Sequence, residues 1–246
     1  MSNEFQTHLP PISEIWVYLS GSPLLALVLT LSAYLLGLTL YERSQRNPLA
    51  NPVLIAVVVV TLSISVLDMP YAKYFEGAQF VHFLLGTATV SLAIPIYKGF
   101  ASLKGRMGVL LLSLVAGGVT SVFTAVGMAR WLGVDESLVR GLVAKSVTAP
   151  IAMGIAERVQ ASPTLTAIFA VSTGILGAVL GRYVLDALRV TAWWQRGFAL
   201  GVAAHGIGTS RAFSVHPEAG AYASLGMGLH GIVGAVVIPQ AVAWWF

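Results

Sequence analysis

Read as apolar and polar positions, the chain consists of long apolar runs joined by short polar connections, and the runs outlast the strands and buried helices of a soluble domain. A bilayer's hydrocarbon core takes about 20 apolar helical residues per crossing. By that measure and the turn signals between runs, the pattern predicts eight helical segments, at 23–40, 52–67, 78–97, 107–131, 138–155, 164–181, 197–213 and 219–246. The first two are plain, and Ile55 to Val60 is unbroken aliphatic, as expected where a helix meets lipid tails. From Ala78 onward Gly, Thr, Ser and Pro punctuate the apolar runs, and several runs carry an ionisable residue at depth. Gly177 with Gly181, and Gly197 with Gly201, have the small-xxx-small spacing of close helix packing.

Composition agrees with the pattern. Hydrophobic residues make up 57% of the 246 and charged residues only 10%, more apolar surface than one soluble core hides. The expected fold is therefore all-α: a polytopic membrane helix bundle of about seven to eight apolar segments, some of them broken. Residues 1–22 are expected to form an interfacial lead, and 23–246 a single transmembrane domain. The stretch up to Trp16 holds Glu4, Glu14 and Pro10-Pro11 without a basic start, so it does not read as a cleavable signal.

Charge bears on topology. The fourteen Lys and Arg residues are scattered among the connections, which points to loop orientation and away from nucleic acid. With 41–51 and 98–106 on the cytoplasmic side, full crossing by every segment puts 182–196, with Arg182, Arg189 and Arg196, on the wrong side. If 138–157 instead dips in, breaks at Ala149-Pro150 and returns, the arginines move inside. Seven helices then span, and halves 52–131 and 164–246 run oppositely, the mark of an inverted repeat. Arginines buried away from the cytoplasmic side are the other way to satisfy the count.

Three stretches carry candidate chemistry. In Lys145-Ser146-Val147-Thr148-Ala149-Pro150-Ile151 the proline removes a backbone hydrogen bond inside an apolar run, and in lipid the freed groups must find protein, water or solute. Pro150 suits the first turn of a new half-helix whose amides favour an anion, with Ser146 and Thr148 as hydroxyl donors and Lys145 as positive charge. A satisfied proline kink with a snorkelling Lys145 fits the same residues. In Ala204-His205-Gly206-Ile207-Gly208-Thr209-Ser210-Arg211, Gly206 and Gly208 open the backbone to a solute beside Thr209, and Arg211 can bind a carboxylate through two parallel bonds. An Arg211–Glu218 ion pair at a helix end is the alternative. His205 is either a proton carrier or a donor to a neighbouring carbonyl. The third stretch, 86–95, offers Thr89, and Glu157 is a second candidate proton-coupling group.

The five histidines are dispersed and the cysteine count is zero, so no metal site or cofactor is expected. The chain holds no Walker loop, dinucleotide fingerprint, HExxH or nucleophile elbow, and no enzyme activity is expected.

These stretches also carry a resemblance. Leu84–Val90, Lys145–Met153, Thr173–Ala178 and His205–Ala212 resemble, in order, the motifs of the LrgB/CidB family of membrane proteins over about residues 70 to 240. Thr87 stands where that family usually has proline. The resemblance implies one of two functions. Some members are described as antiholin-like or holin-like proteins that modulate murein hydrolase export and cell lysis beside a smaller four-helix partner of the LrgA/CidA type. Others are carriers, linked to pyruvate in bacteria and to glycolate and glycerate in plant plastids. Both imply an inner or cytoplasmic membrane. Broken helices, polar residues at depth and a well-placed arginine favour a carrier of a small 2-oxo or 2-hydroxy monocarboxylate. An LrgA-type partner is expected with it, and the glycine seams favour a homodimer in the bilayer.

Overall fold

The computed structural model describes residues 23–91, 94, 97 and 105–245, apart from the side chains at 82, 85, 86, 88 and 89. The expected interfacial segment 1–22 and the Thr89 side chain lie outside the described residues. Nine α-helices and no strand occur among those described: α1 Pro23–Arg43, α2 Pro52–Val66, α3 Tyr71–Ser91, α4 Met107–Trp131, α5 Glu136–Leu142, α6 Ala149–Arg158, α7 Pro163–Ala187, α8 Trp193–Val215 and α9 Pro217–Trp245. Helices α1, α4, α7 and α9 are long and apolar enough to cross a membrane. The chain is an all-α, multi-helix membrane protein.

It divides into two compact units, residues 1–46 with 52–88, and 47–51 with 89–246. In the first, α1 and α2 meet closely: a Cβ added at Gly37 of α1 lies 2.6 Å from the Pro52 carbonyl oxygen. The hydroxyls of Thr30 on α1 and Tyr74 on α3 are 2.8 Å apart. Helix α3 runs unbroken through Gly86 and Thr87, and the Thr87 hydroxyl donates to the Leu84 carbonyl at 2.8 Å. Thr lacks proline's ring and keeps its amide, so nothing at this position forces a break.

The second unit is built on α4, α7 and α9, of 25, 25 and 29 residues. At 1.5 Å per residue each is longer than the ~30 Å hydrocarbon core. Between them lie two hairpins. The first is α5 and α6, of 7 and 10 residues, neither long enough to cross alone. It starts beside the end of α4, where Arg130 pairs with Glu136 and the Asp135 side chain caps α5 by accepting from the Ser137 amide and hydroxyl. Those two bonds hold the Asp135 carboxyl below its ordinary value. The hairpin returns beside the start of α7, because a Cβ at Gly141 of α5 would lie 3.0 Å from the Thr166 hydroxyl in the first turn of α7. Its irregular tip, 143–148, reaches Ser121 and His230, which are near the middles of α4 and α9. Ser121 precedes the end of α4 by ten residues, about 15 Å of helix. The segment therefore enters to about mid-depth and returns, the alternative that loop charges favoured.

Helix α8 departs from expectation. The apolar run 197–213 predicts a crossing helix, but α8 folds back on itself at Ala204 (φ −128°, ψ 16°) and His205 (φ 39°, ψ −130°). Its first half, α8a, runs parallel to α9: Gly197 meets the Ala219 carbonyl and Gly201 the Ala223 carbonyl, closer than any Cβ allows. Its second half, α8b, runs antiparallel, with Thr209 3.8 Å from the Met227 sulfur and Phe213 against Gly220. The Trp193 and His216 rings then stack at 4.9 Å, bringing the two ends together. No proline marks this turn, so each half reads in sequence as part of one span.

The second unit thus repeats a helix-plus-hairpin module: α4 with α5/α6, then α7 with α8. The first hairpin opens at the α4 end and the second at the opposite end, where Arg106 bonds the Tyr222 hydroxyl and lies over Trp194. Opposed hairpins of this kind are an inverted arrangement, but its units are 107–158 and 163–215 in place of the expected halves 52–131 and 164–246, because α8 folds back and does not supply a third crossing.

Candidate solute site at the hairpin tips

Two breaks define the site. At the first tip, Pro150 lies in the opening turn of α6 and Thr148 is the N-cap. The Thr148 hydroxyl is buried and has no hydrogen-bond partner, and no side chain caps the helix. Initial helix amides therefore remain available beside an unengaged hydroxyl. Ser146, fully buried, bonds His230 Nε2 of α9 at 3.0 Å. The Lys145 ammonium donates to the Ser121 hydroxyl at 2.8 Å, and no ion pair among the described residues includes it.

At the second tip, His205 holds a backbone conformation that favours glycine. Its ring Nε2–H donates to the Ala170 carbonyl of α7 at 2.8 Å, and its own carbonyl accepts from Thr209 Oγ1 at 2.7 Å. Gly174 admits the ring, since a Cβ there would be 2.6 Å from Cε1. Gly208 is needed for the fold-back, where a Cβ would strike the Leu200 carbonyl and Ala204 at 2.6 Å. Gly206 is different: its nearest neighbour to an added Cβ is the Met227 sulfur at 3.9 Å, so backbone is left open there.

A cavity of about 1,020 Å³ runs between α4 and α7 and reaches both tips, with Lys145 from the first and Val202 and Ala203 from the second. Its walls are mainly apolar; Ser113, Thr120, Ser121 and Thr173 supply hydroxyls, of which Ser121 meets the lysine.

Sequence candidates are distributed unequally. Of these only Lys145 lines the cavity; Ser146, Thr148 and Pro150 share its tip and Gly206, Gly208 and Thr209 lie by the opposite one, but none of these six is among the cavity's lining residues. Arg211 is buried at 9% exposure but lines a separate cavity of about 320 Å³, with Arg182, Asp186 and Arg196. The fold-back of α8 puts Arg211 four residues from the hairpin's open end, away from its tip. Glu157 is exposed in the last turn of α6, likewise at a hairpin mouth.

Sequence reading missed Ser121, Thr173 and His230 as site neighbours. The available signals were a Thr120-Ser121 pair inside an apolar run and a histidine between Gly226 and Gly234 that needs a polar partner when buried.

Long apolar helices joined by two opposed re-entrant hairpins define a multi-helix membrane protein with a polar centre. The chain belongs to the LrgB-like family, whose sequence model matches residues 30–244. The Bacillus subtilis protein YwbG is 33% identical over 216 residues, covering 88% of this chain and 96% of YwbG. The Staphylococcus epidermidis holin-like protein CidB is 27% identical over 218 residues, 89% of this chain and 95% of CidB. That of Staphylococcus aureus is 26% identical over 219 residues, with shares of 89% and 95%. No solved structure matches the chain.

Proposed function

We propose that this protein is a carrier for a small monocarboxylate, a 2-oxo or 2-hydroxy acid of the size of pyruvate, glycolate or glycerate, in the inner membrane. The observation that carries the reading is Lys145, a cation near mid-span whose hydrogen-bond partner is a serine, facing a cavity shared by two broken hairpins. An ammonium at membrane depth costs roughly 2.5–3.5 kcal/mol on insertion scales. A bound carboxylate offsets that cost by supplying the counter-charge. The Ser121 hydroxyl, which already meets the ammonium, would orient the anion in this cavity, and the unengaged Thr148 hydroxyl lies on the same tip outside the cavity lining. Opposed hairpins let each side of the membrane be sealed in turn. The reading involves no covalent chemistry. A homodimer and an LrgA-type partner belong to the same proposal.

A holin-like role is the second reading, favoured by the holin-like designation of the CidB relatives. It requires oligomerising helices but gives Lys145 no task.

The two separate in proteoliposomes. Uptake of labelled pyruvate and glycolate is measured with and without an LrgA-type partner, alongside leakage of a trapped dye. A carrier gives saturable uptake that Lys145→Gln abolishes while its unfolding temperature stays near wild type. Dye leakage without saturable uptake of either acid rules the carrier out.

A further inference from the structure

The cavity that holds Lys145 is far larger than a three-carbon acid. Its volume is about 1,020 Å³. Pyruvate fills roughly 100 Å³, the share of about three waters. The cavity is also long: Ser121, which bonds the ammonium, lies at its inner end, and Val109 and Val184, in the end turns of α4 and α7, lie at its outer end. From Ser121 to Val109 is about 18 Å of helix. Along that length Leu110 of α4, Leu176 and Leu180 of α7 and Phe198 of α8a present apolar side chains, and Lys145 is the one charged residue among the described residues that line the cavity. Leu176 and Leu180 are 58% and 48% exposed, which leaves apolar surface free for an occupant.

A lipid tail matches these walls but gives the ammonium no counter-charge. A three-carbon acid meets the ammonium but leaves the walls bare, and each methylene it lacks forgoes about fourfold in affinity. An acid with an apolar chain satisfies both ends. An extended chain advances roughly 1.2 Å per bond, so an eight-carbon acid covers about half the cavity's length.

Taking Lys145 as the solute's counter-ion, as in the reading above, we propose that the cavity binds 2-oxo or 2-hydroxy monocarboxylates that carry an apolar chain. The carboxylate lies at Lys145 and Ser121, and the chain runs along Leu176, Leu180 and Phe198 toward the second hairpin's mouth. Pyruvate and glycolate are then the smallest members of the class and its weakest ligands.

The test uses the full chain in nanodiscs, titrated by calorimetry with straight-chain 2-oxo acids from three to ten carbons and with the uncharged amide of the eight-carbon acid; empty nanodiscs correct for partitioning. The same acids compete with labelled pyruvate for uptake into proteoliposomes. Affinity is expected to rise about threefold to fourfold per added methylene up to about eight carbons. Lys145→Gln is expected to weaken binding of every acid. Leu180→Gln is expected to weaken the eight-carbon acid severalfold more than pyruvate, a length-dependent change that general loss of folding does not give. Pyruvate uptake with longer acids that neither bind more tightly nor compete overturns the inference and leaves the carrier standing. The amide binding as tightly as its acid overturns it too, and assigns the cavity to lipid tails. Tight, Lys145-dependent binding of the eight-carbon acid without pyruvate uptake supports the site and rejects pyruvate as cargo. Binding of no acid, with no uptake, overturns both.

Discussion

At the scale of single residues, the first hairpin tip is held by polar bonds that lipid cannot replace. Ser146 and His230 are 1% and 5% exposed and bond one another at 3.0 Å. Removing one partner strands the other, which costs about 1–3 kcal/mol. Ser146→Ala is therefore expected to destabilise the protein by that amount in chemical unfolding from detergent. His230→Ala added to it should cost less than the two changes made separately. Strict additivity of the two, within about 0.5 kcal/mol, would show that the bond does not hold the tip. The sequence made this tip legible through Pro150, a covalent interruption visible without any fold. His230 was not legible as its partner, because 84 residues separate them and only packing of α9 against the tip makes them neighbours.

At the scale of elements, the second hairpin depends on one strained residue. His205 turns the chain at φ 39°, where a Cβ is disfavoured, and its ring is buried against Gly174 with Nε2–H bonded to Ala170. His205→Gly and His205→Ala both lose the ring and its bond, yet only glycine accepts the turn freely. The glycine variant is expected to be the more stable by about 1–2 kcal/mol, reversing the usual helix ranking of the two residues. Equal stability, measured by unfolding, would mean that the turn stores no strain. Contacts between α8 and α9 are so close that Gly197 and Gly201 leave no space for a methyl group. Their spacing in sequence correctly marked a packing seam, but not that the seam is parallel in α8a and reversed in α8b.

At the scale of the whole molecule, the decisive matter is which connections share a side of the membrane. The chain has no cysteine, so single introduced cysteines report without background. Leu132→Cys and Glu157→Cys, at the two feet of the first hairpin, are expected to react with an impermeant maleimide from one side. Thr191→Cys and Glu218→Cys, at the feet of the second, are expected to react from the other. Labelling of Thr191→Cys and Glu218→Cys from opposite sides would mean that α8 crosses after all.

The amino-acid sequence alone determined the solvent, the helical class, the family motifs and the break at Pro150, because apolar run length and a missing backbone donor are local properties. Tertiary structure decided what α8 does and hence where Arg211 lies. Two apolar half-helices have the same composition whether they continue or fold back, and the choice rests on contacts with α7 and α9 far along the chain. That choice separates Arg211 from Lys145 into different cavities and leaves the lysine at the membrane's centre, with the arginine near its surface.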